Sequence, residues 1–263
     1  MKLLHDPYSG RTEFGLGLLG VLGSALVAEV VLRSGIIDVP GLPVPSQVAD
    51  GVVSLLQDGV FWEAIRFTLV EWMLGLAIAA IVGVVLGGLM GAFTHVFLAF
   101  EWPVEAFRVL PSVAVGPILV VLIGQGMLPL SLTVALSCLW PILLNTLYGV
   151  RGVDTTAVMT AKTLGVSDLG VLCLIKIPSA LPFAFTGVRI AASIGLLVAV
   201  SAELLMGNGS GIGGYILQNT ANATSLDLVY AATVVAGLLG VVVNVAMAKI
   251  DGIAFGWKKG LAQ

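Results

Sequence analysis

Apolar and polar positions alternate along this chain on the scale of a bilayer, not of a soluble core. A run of about 20 apolar residues matches the hydrocarbon thickness of a membrane. Six such runs can be read, at 14–32, 67–93, 109–126, 128–150, 182–206 and 228–250. Each is too long and too uniformly apolar for a buried soluble helix. The first is broken only by Glu29 near its far end, and the third and fourth are separated by a short turn holding Gly124, Gly126 and Pro129. Residues 33–62 connect the first run to the second, with Pro40, Pro43 and Pro45 giving a stiff, extended entry to an amphipathic stretch at 46–56. Residues 151–181 form a polar interruption between the fourth run and the fifth. The pattern predicts an all-α integral membrane protein of about six transmembrane helices, a single domain over residues 1–263.

Composition agrees. The chain is 58% hydrophobic and 10% charged, whereas soluble domains are near a quarter charged. Its net charge of −3 says little about partners, but no basic patch suggests nucleic acid, and none is expected as a partner. Orientation follows from the basic residues of the short flanks. With the N-terminus inside, the cytoplasmic flanks hold Lys2, Arg11, Arg108, Arg151, Lys162, Lys176, Lys249, Lys258 and Lys259, against Arg33 and Arg66 outside. Both termini are therefore expected in the cytoplasm, with the first helix retained: no small-x-small cleavage site follows it.

Chemistry-bearing clusters are sparse. His5 and His95 lie far apart, and Cys138 and Cys173 read as small apolar residues, so no metal site is expected. No nucleophile–base arrangement stands out, so neither catalytic residues nor a cofactor is expected in this chain. Gly209-x-Gly211-x-x-Gly214 matches a dinucleotide fingerprint in letters only. It follows a membrane span, not a strand, and reads as an external turn.

The 151–181 interruption has its own local code. Asp154 can cap a helix over residues 155–164, where Val158, Ala161 and Leu164 keep helical spacing. Gly165 can end that helix in the left-handed conformation. Ser167 and Asp168 can cap a second short helix over 169–177, which Pro178 and Pro182 would terminate. Two short helices at an angle can sit in a groove on a soluble partner.

The spacing Ala161, Gly165, then Ile175-x-Ile177-Pro178 resembles the EAA loop of ABC importer permeases. The likeness extends to Asn145-Thr146-x-x-Gly149-Val150-Arg151 before it, and to Gly187-Val188-Arg189, Ala202-Glu203-Leu204 and Gly211-Ile212-Gly213 after it. The whole register is similar to the sulfonate, taurine and nitrate-type permeases. That resemblance implies a type I ABC importer permease fold and a coupling site at Asp154, Met159, Ala161, Lys162, Gly165, Ile175, Ile177 and Pro178. It further implies two copies of an ABC ATPase subunit carrying ATP and Mg, a second permease copy forming a homodimer, and a solute-binding protein. Met159 stands where the family often has the glutamate of the loop's name, so docking at that point is expected to be apolar. The implied cargo is a small anion such as a sulfonate, taurine or nitrate, the alternative being a thiamine precursor, flavin or aromatic carboxylate. An ion-coupled secondary transporter would call for mid-membrane carboxylate pairs and an inverted repeat, and neither is evident in the sequence.

Polar residues inside membrane spans are functional candidates by default. Glu71, Gln125, Asn145, Arg189, Ser193, Ser201 and Glu203 qualify. Glu71, Pro117, Arg189, Ser193 and Glu203 are the candidate pathway residues, with Glu71 and Arg189 alternatively an ion pair or snorkelling groups. Pro111, Gly116 and Pro117 break the third run, as backbone lining a pathway would. Gly75, Ala79, Ala80, Gly83, Gly87, Gly88 and Gly91 make the second run suited to close helix packing.

Overall fold

The structure, a computed structural model, describes residues 10–37, 39, 41–206, 209–222 and 226–255. The flank residues Lys2, His5, Lys258 and Lys259, and Pro40 of the first connection, lie outside them. All regular structure among the described residues is helical. In order these are α1 (Gly10–Arg33), α2 (Pro45–Gln57), α3 (Gly59–Ala92), α4 (Thr94–Arg108), α5 (Ser112–Ile123), α6 (Met127–Arg151), α7 (Thr155–Thr163), α8 (Asp168–Val171), a π-turn at Leu172–Lys176, α9 (Ile177–Met206), α10 (Gly211–Asn222) and α11 (Leu226–Ala254). Five stretches are long and apolar enough to cross a membrane: Gly15–Arg33, Gly59–Ala92, Met127–Arg151, Asp168–Met206 and Leu226–Ala254.

The expected third span is not a single straight helix. α4 and α5 meet at 94°, and only together do they pass as a sixth crossing. With 12 residues, α5 is about 18 Å long at 1.5 Å per residue, well short of the roughly 30 Å core. Pro111 sits at the break, where its ring disfavours helical geometry in the preceding residue. The second span is longer than expected: α3 starts at Gly59, where Asp58 caps it by accepting from the Val60 amide at 2.9 Å.

α3, α6 and α9 form the packed centre, around Trp72, Val134, Cys138, Ile142, Ala191 and Leu196. Glycine sets how closely α3 and α6 approach. Gly75, Gly83, Gly87 and Gly91 all turn toward α6, where a methyl group would meet Val134, Ile142, Leu143 or Val150. Gly88, one residue off this stripe, faces open space. At Gly83 an added Cβ would lie 2.9 Å from Ile142 Cγ2 and 3.2 Å from the Leu143 nitrogen. Gly83→Leu is therefore expected to destabilise the bundle by roughly 1–3 kcal/mol or more through overpacking. Gly88→Leu should be near neutral, and thermal unfolding of the two purified variants in detergent checks the contrast.

Polar groups tie the same three helices together. Trp72 Nε1 donates to the Ala192 carbonyl at 2.9 Å, and Cys138 Sγ to the Ala191 carbonyl at 3.3 Å. Two smaller clusters finish the bundle. Met90, Val104, Leu143 and Leu147 bind α4 near the ends of α3 and α6, where the Arg151 guanidinium lies 3.5 Å over the Phe97 ring. Leu55, Phe61, Ile65, Ile212 and Ala231 join α2, α3, α10 and α11 at the opposite end. α1 stands apart, its span having no buried side chain. It is tied to α2 by Glu29, which accepts from the Ser46 amide at 3.0 Å and hydroxyl at 2.8 Å and pairs with Arg33.

Candidate functional site

The polar loop between α6 and α9 is built by its caps. Asp154 accepts from the Thr156 amide at 2.8 Å and starts α7. α7 ends in a Schellman motif: Val166 N–H donates to Ala161 O, and Gly165 N–H donates to Lys162 O, each at 3.0 Å. This requires a left-handed residue at Gly165, which has φ +81°. Ser167 then caps α8 by accepting from the Gly170 amide at 3.2 Å. A 2.7 Å ion pair between Lys162 and Asp168 spans the hinge.

One expectation fails here. Pro178 and Pro182 do not terminate the second helix. α8 passes through the π-turn into α9, and one continuous helical stretch runs from Asp168 to Met206. A π-turn moves the hydrogen bond one residue on, as the Ile177 N–H shows by donating to Leu172 O. Pro178 then falls in the first turn of α9, where the lack of an N–H and the ring are tolerated. Ile177 and Pro178 are thus exposed positions on a continuous rod, and Ile175 is half-buried within the π-turn.

The loop's surface is its most informative property. Ala161 is buried and Val158 half-buried, so this side of α7 is the inner one. Met159, Leu164, Leu169 and Leu174 point the other way, between 68% and 78% exposed. Four exposed large apolar side chains on a polar loop make a contact surface. Leu169 and Leu174 went unnoticed in the sequence. Their signal was available, as apolar residues in a stretch otherwise made of caps and charges.

The candidate pathway residues divide into two groups. Pro117 on α5 and Ser193 on α9 are exposed. Arg189 does not pair with Glu71; its guanidinium lies 3.8 Å from Asp251 on α11, both side chains about one-third exposed. At that distance and exposure the pair contributes little. A double-mutant cycle on Arg189→Ala and Asp251→Ala is expected to give a coupling of about 1 kcal/mol or less.

Glu71 and Glu203, in contrast, are enclosed within the bundle, 0% and 1% exposed. Thr68, three residues before Glu71 on α3, donates to Glu203, so the two carboxyls lie at one site, a pair that the long separation in the chain hides from a reading of the sequence. Around Glu203 the glycine turn closes tightly. Ile212 N–H donates to Thr68 Oγ1 at 2.9 Å, Thr68 Oγ1 donates to Glu203 Oε1 at 2.7 Å, and Gly213 N–H donates to Glu203 Oε2 at 2.8 Å. Gly209 and Gly211 have φ +78° and +77°, and a methyl group on Gly211 would collide with the Glu203 carboxylate. Gly211 to Gly214 are thus the first turn of α10, a helix not expected from the sequence. Nearby, Tyr215 O–H donates to Asp58 at 3.3 Å. Burial, then the Asp58 charge, pushes the Tyr215 phenol above its ordinary value.

The described residues thus form a bundle of membrane-length helices with an apolar-studded loop at one end and a closed glycine turn at the other. The chain belongs to the family of binding-protein-dependent transport system inner membrane components, whose sequence profile matches residues 79–252. It is similar to the taurine transport system permease of Escherichia coli, 27% identical over 248 residues that cover 92% of this chain and 88% of that protein. It is also similar to the bicarbonate transport system permease of Synechococcus elongatus, 30% identical over 238 residues covering 85% and 84%. Among solved structures, the inward-facing methionine ABC transporter MetNI matches 78% of this chain and 95% of its own with a TM-score of 0.55 at 18% identity. The fold is accordingly the type I ABC importer permease fold, and the chain is a transport component of a prokaryotic membrane.

Proposed function

We propose that this chain lines the path of an ATP-driven importer for a small anion and is moved by an ATPase that docks on the Thr155–Lys176 loop. The observation that carries this reading is the exposure of Met159, Leu164, Leu169 and Leu174 on α7 and on the start of the helix that continues into a full span. Asp154, Lys162 and Gly165 fix the loop's shape. Ile175, Ile177 and Pro178 form the root of the rod, and Met159 and Ala161 supply contact and close packing. ATP and Mg belong to the ATPase subunits, two of them for a pair of permeases. The loop end is cytoplasmic on the strength of Arg151, Lys162 and Lys176, so both termini are too.

A second copy completes the path. Ile190, Ser193, Ile194 and Leu197 form one exposed face of α9, and Pro117 lies in the short α5. That face is mostly apolar, and Arg189 is already paired. Selectivity therefore rests on the solute-binding protein that delivers the cargo. The relatives' cargoes, taurine and bicarbonate, suggest a small oxyanion. The test is reconstitution with the cognate ATPase and binding protein in liposomes, followed by uptake of labelled taurine, sulfonate, nitrate and bicarbonate. ATP-dependent uptake of one of these supports the reading; uptake driven by an ion gradient without ATP refutes it.

A further inference from the structure

Among the described residues, Glu71 and Glu203 are the only carboxylates with fully enclosed side chains, and their surroundings are opposite. Glu203 accepts from the Thr68 hydroxyl and the Gly213 amide. It lies in the last turn of α9, which repels a negative charge, but also against the first turn of α10, which attracts one. Two short donor contacts and the α10 terminus together favour an anion on Glu203.

Glu71 has none of this support. Among the described residues, no hydroxyl, amide or cation reaches either of its oxygens. Among those residues the polar group it meets is Glu203 itself, and no lysine or arginine acts on either carboxyl. Ionised carboxylates only accept hydrogen bonds. Two of them would place acceptor against acceptor and leave Glu71 as a buried charge with no donor at all, a costly arrangement. A single proton between them satisfies both groups.

We propose that Glu71 is a proton-bearing acid that donates to Glu203, so that the enclosed pair carries one negative charge, held on Glu203 against the first turn of α10. Glu71 is then a positioning residue. Its O–H fixes the Glu203 carboxylate from the α3 side while Thr68 and Gly213 fix it from the others. The site joins α3, α9 and α10 at one end of the bundle. Thr68 and Glu71 precede the residues that match the family profile. The assignment does not depend on which anion is carried.

The test is infrared difference spectroscopy on the permease complex in lipid nanodiscs at neutral pH, wild type against Glu71→Gln. The expected result is a protonated-carboxyl C=O band in the wild type that is lost in Glu71→Gln and persists in Glu203→Gln. Thermal melting should show the same asymmetry. The side-chain amide introduced by Glu71→Gln can donate as the acid does, so this variant should melt within about 2 °C of wild type, whereas Glu203→Gln should melt about 5 °C or more below it. If Glu71→Gln does not assemble, the wild-type band and its persistence in Glu203→Gln decide the matter. Absence of the band, its survival in Glu71→Gln, or a melting temperature that rises with sodium or potassium in a protein lacking the band would overturn the proposal. The last result would place a metal cation, not a proton, between the carboxylates.

Discussion

Gly165→Arg is expected to abolish ATP-driven uptake while leaving the subunit folded and inserted in the membrane. The two halves of that outcome come from different features of one residue. Gly165 is exposed, and a Cβ there would meet nothing within 4 Å, so arginine collides with no part of its own chain. Its φ of +81° costs a non-glycine residue about 1–2 kcal/mol, a local cost that the Asp154 cap and the Lys162–Asp168 pair can absorb. The arginine head, however, projects from the hinge between α7 and α8, among the exposed leucines offered to a partner. Gly165→Asn is the control, because asparagine tolerates the left-handed region and stays small; it should transport at a rate within about a factor of two of wild type. Uptake, stimulated ATPase activity and the amount of subunit in the membrane fraction measure the three quantities. Unchanged uptake in Gly165→Arg would remove the loop from its coupling role.

Glu203→Ala should be the most damaging single change at the other end. It removes the acceptor for the Gly213 amide and the Thr68 hydroxyl, and Thr68 in turn holds the Ile212 amide. Buried donors left without partners cost about 1–3 kcal/mol each, so a loss on the order of 3 kcal/mol is expected before the vacated volume is counted. Melting temperature and uptake should fall together, and the α10 turn should become accessible to proteases added from outside. Thr68→Ser keeps the hydroxyl and should retain most of the stability; Thr68→Val should not. Wild-type melting in Glu203→Ala would show that the carboxylate does not hold the turn.

Much of this architecture is legible in the sequence because lipid leaves the chain few options. Backbone groups in hydrocarbon must be satisfied internally, so each apolar run had to be a helix, and α1, α6 and α11 start and stop within a few residues of their apolar runs. The loop caps were equally readable, since Asp154, Gly165 and Ser167 act on amides or carbonyls only a few residues away. What could not be read depends on distant partners. Pro111 marked the break between α4 and α5 in advance, but the 94° angle between them is set by packing against α3 and α6 and could not be read. α10 is held by Glu203 and by Thr68, which is far from it in sequence. Arg189 chose Asp251 over Glu71, a choice fixed by how α9 lies against α11. The prolines misled for a related reason: Pro178 breaks an ordinary helix but fits one already widened by a π-turn.

That π-turn has a mechanical consequence. Because it keeps α8 joined to α9, the polar loop and the glycine turn are the two ends of a single helical stretch of 39 residues, about 58 Å long at 1.5 Å per residue. A tilt of only about 5° about one end sweeps the other through about 5 Å, nearly the pitch of one helical turn. Glu203 sits close to the far tip, gripped by groups on two other helices. Under the proposed docking, a push too small to rearrange the loop itself would arrive at the opposite face of the membrane as a displacement larger than a hydrogen bond can stretch.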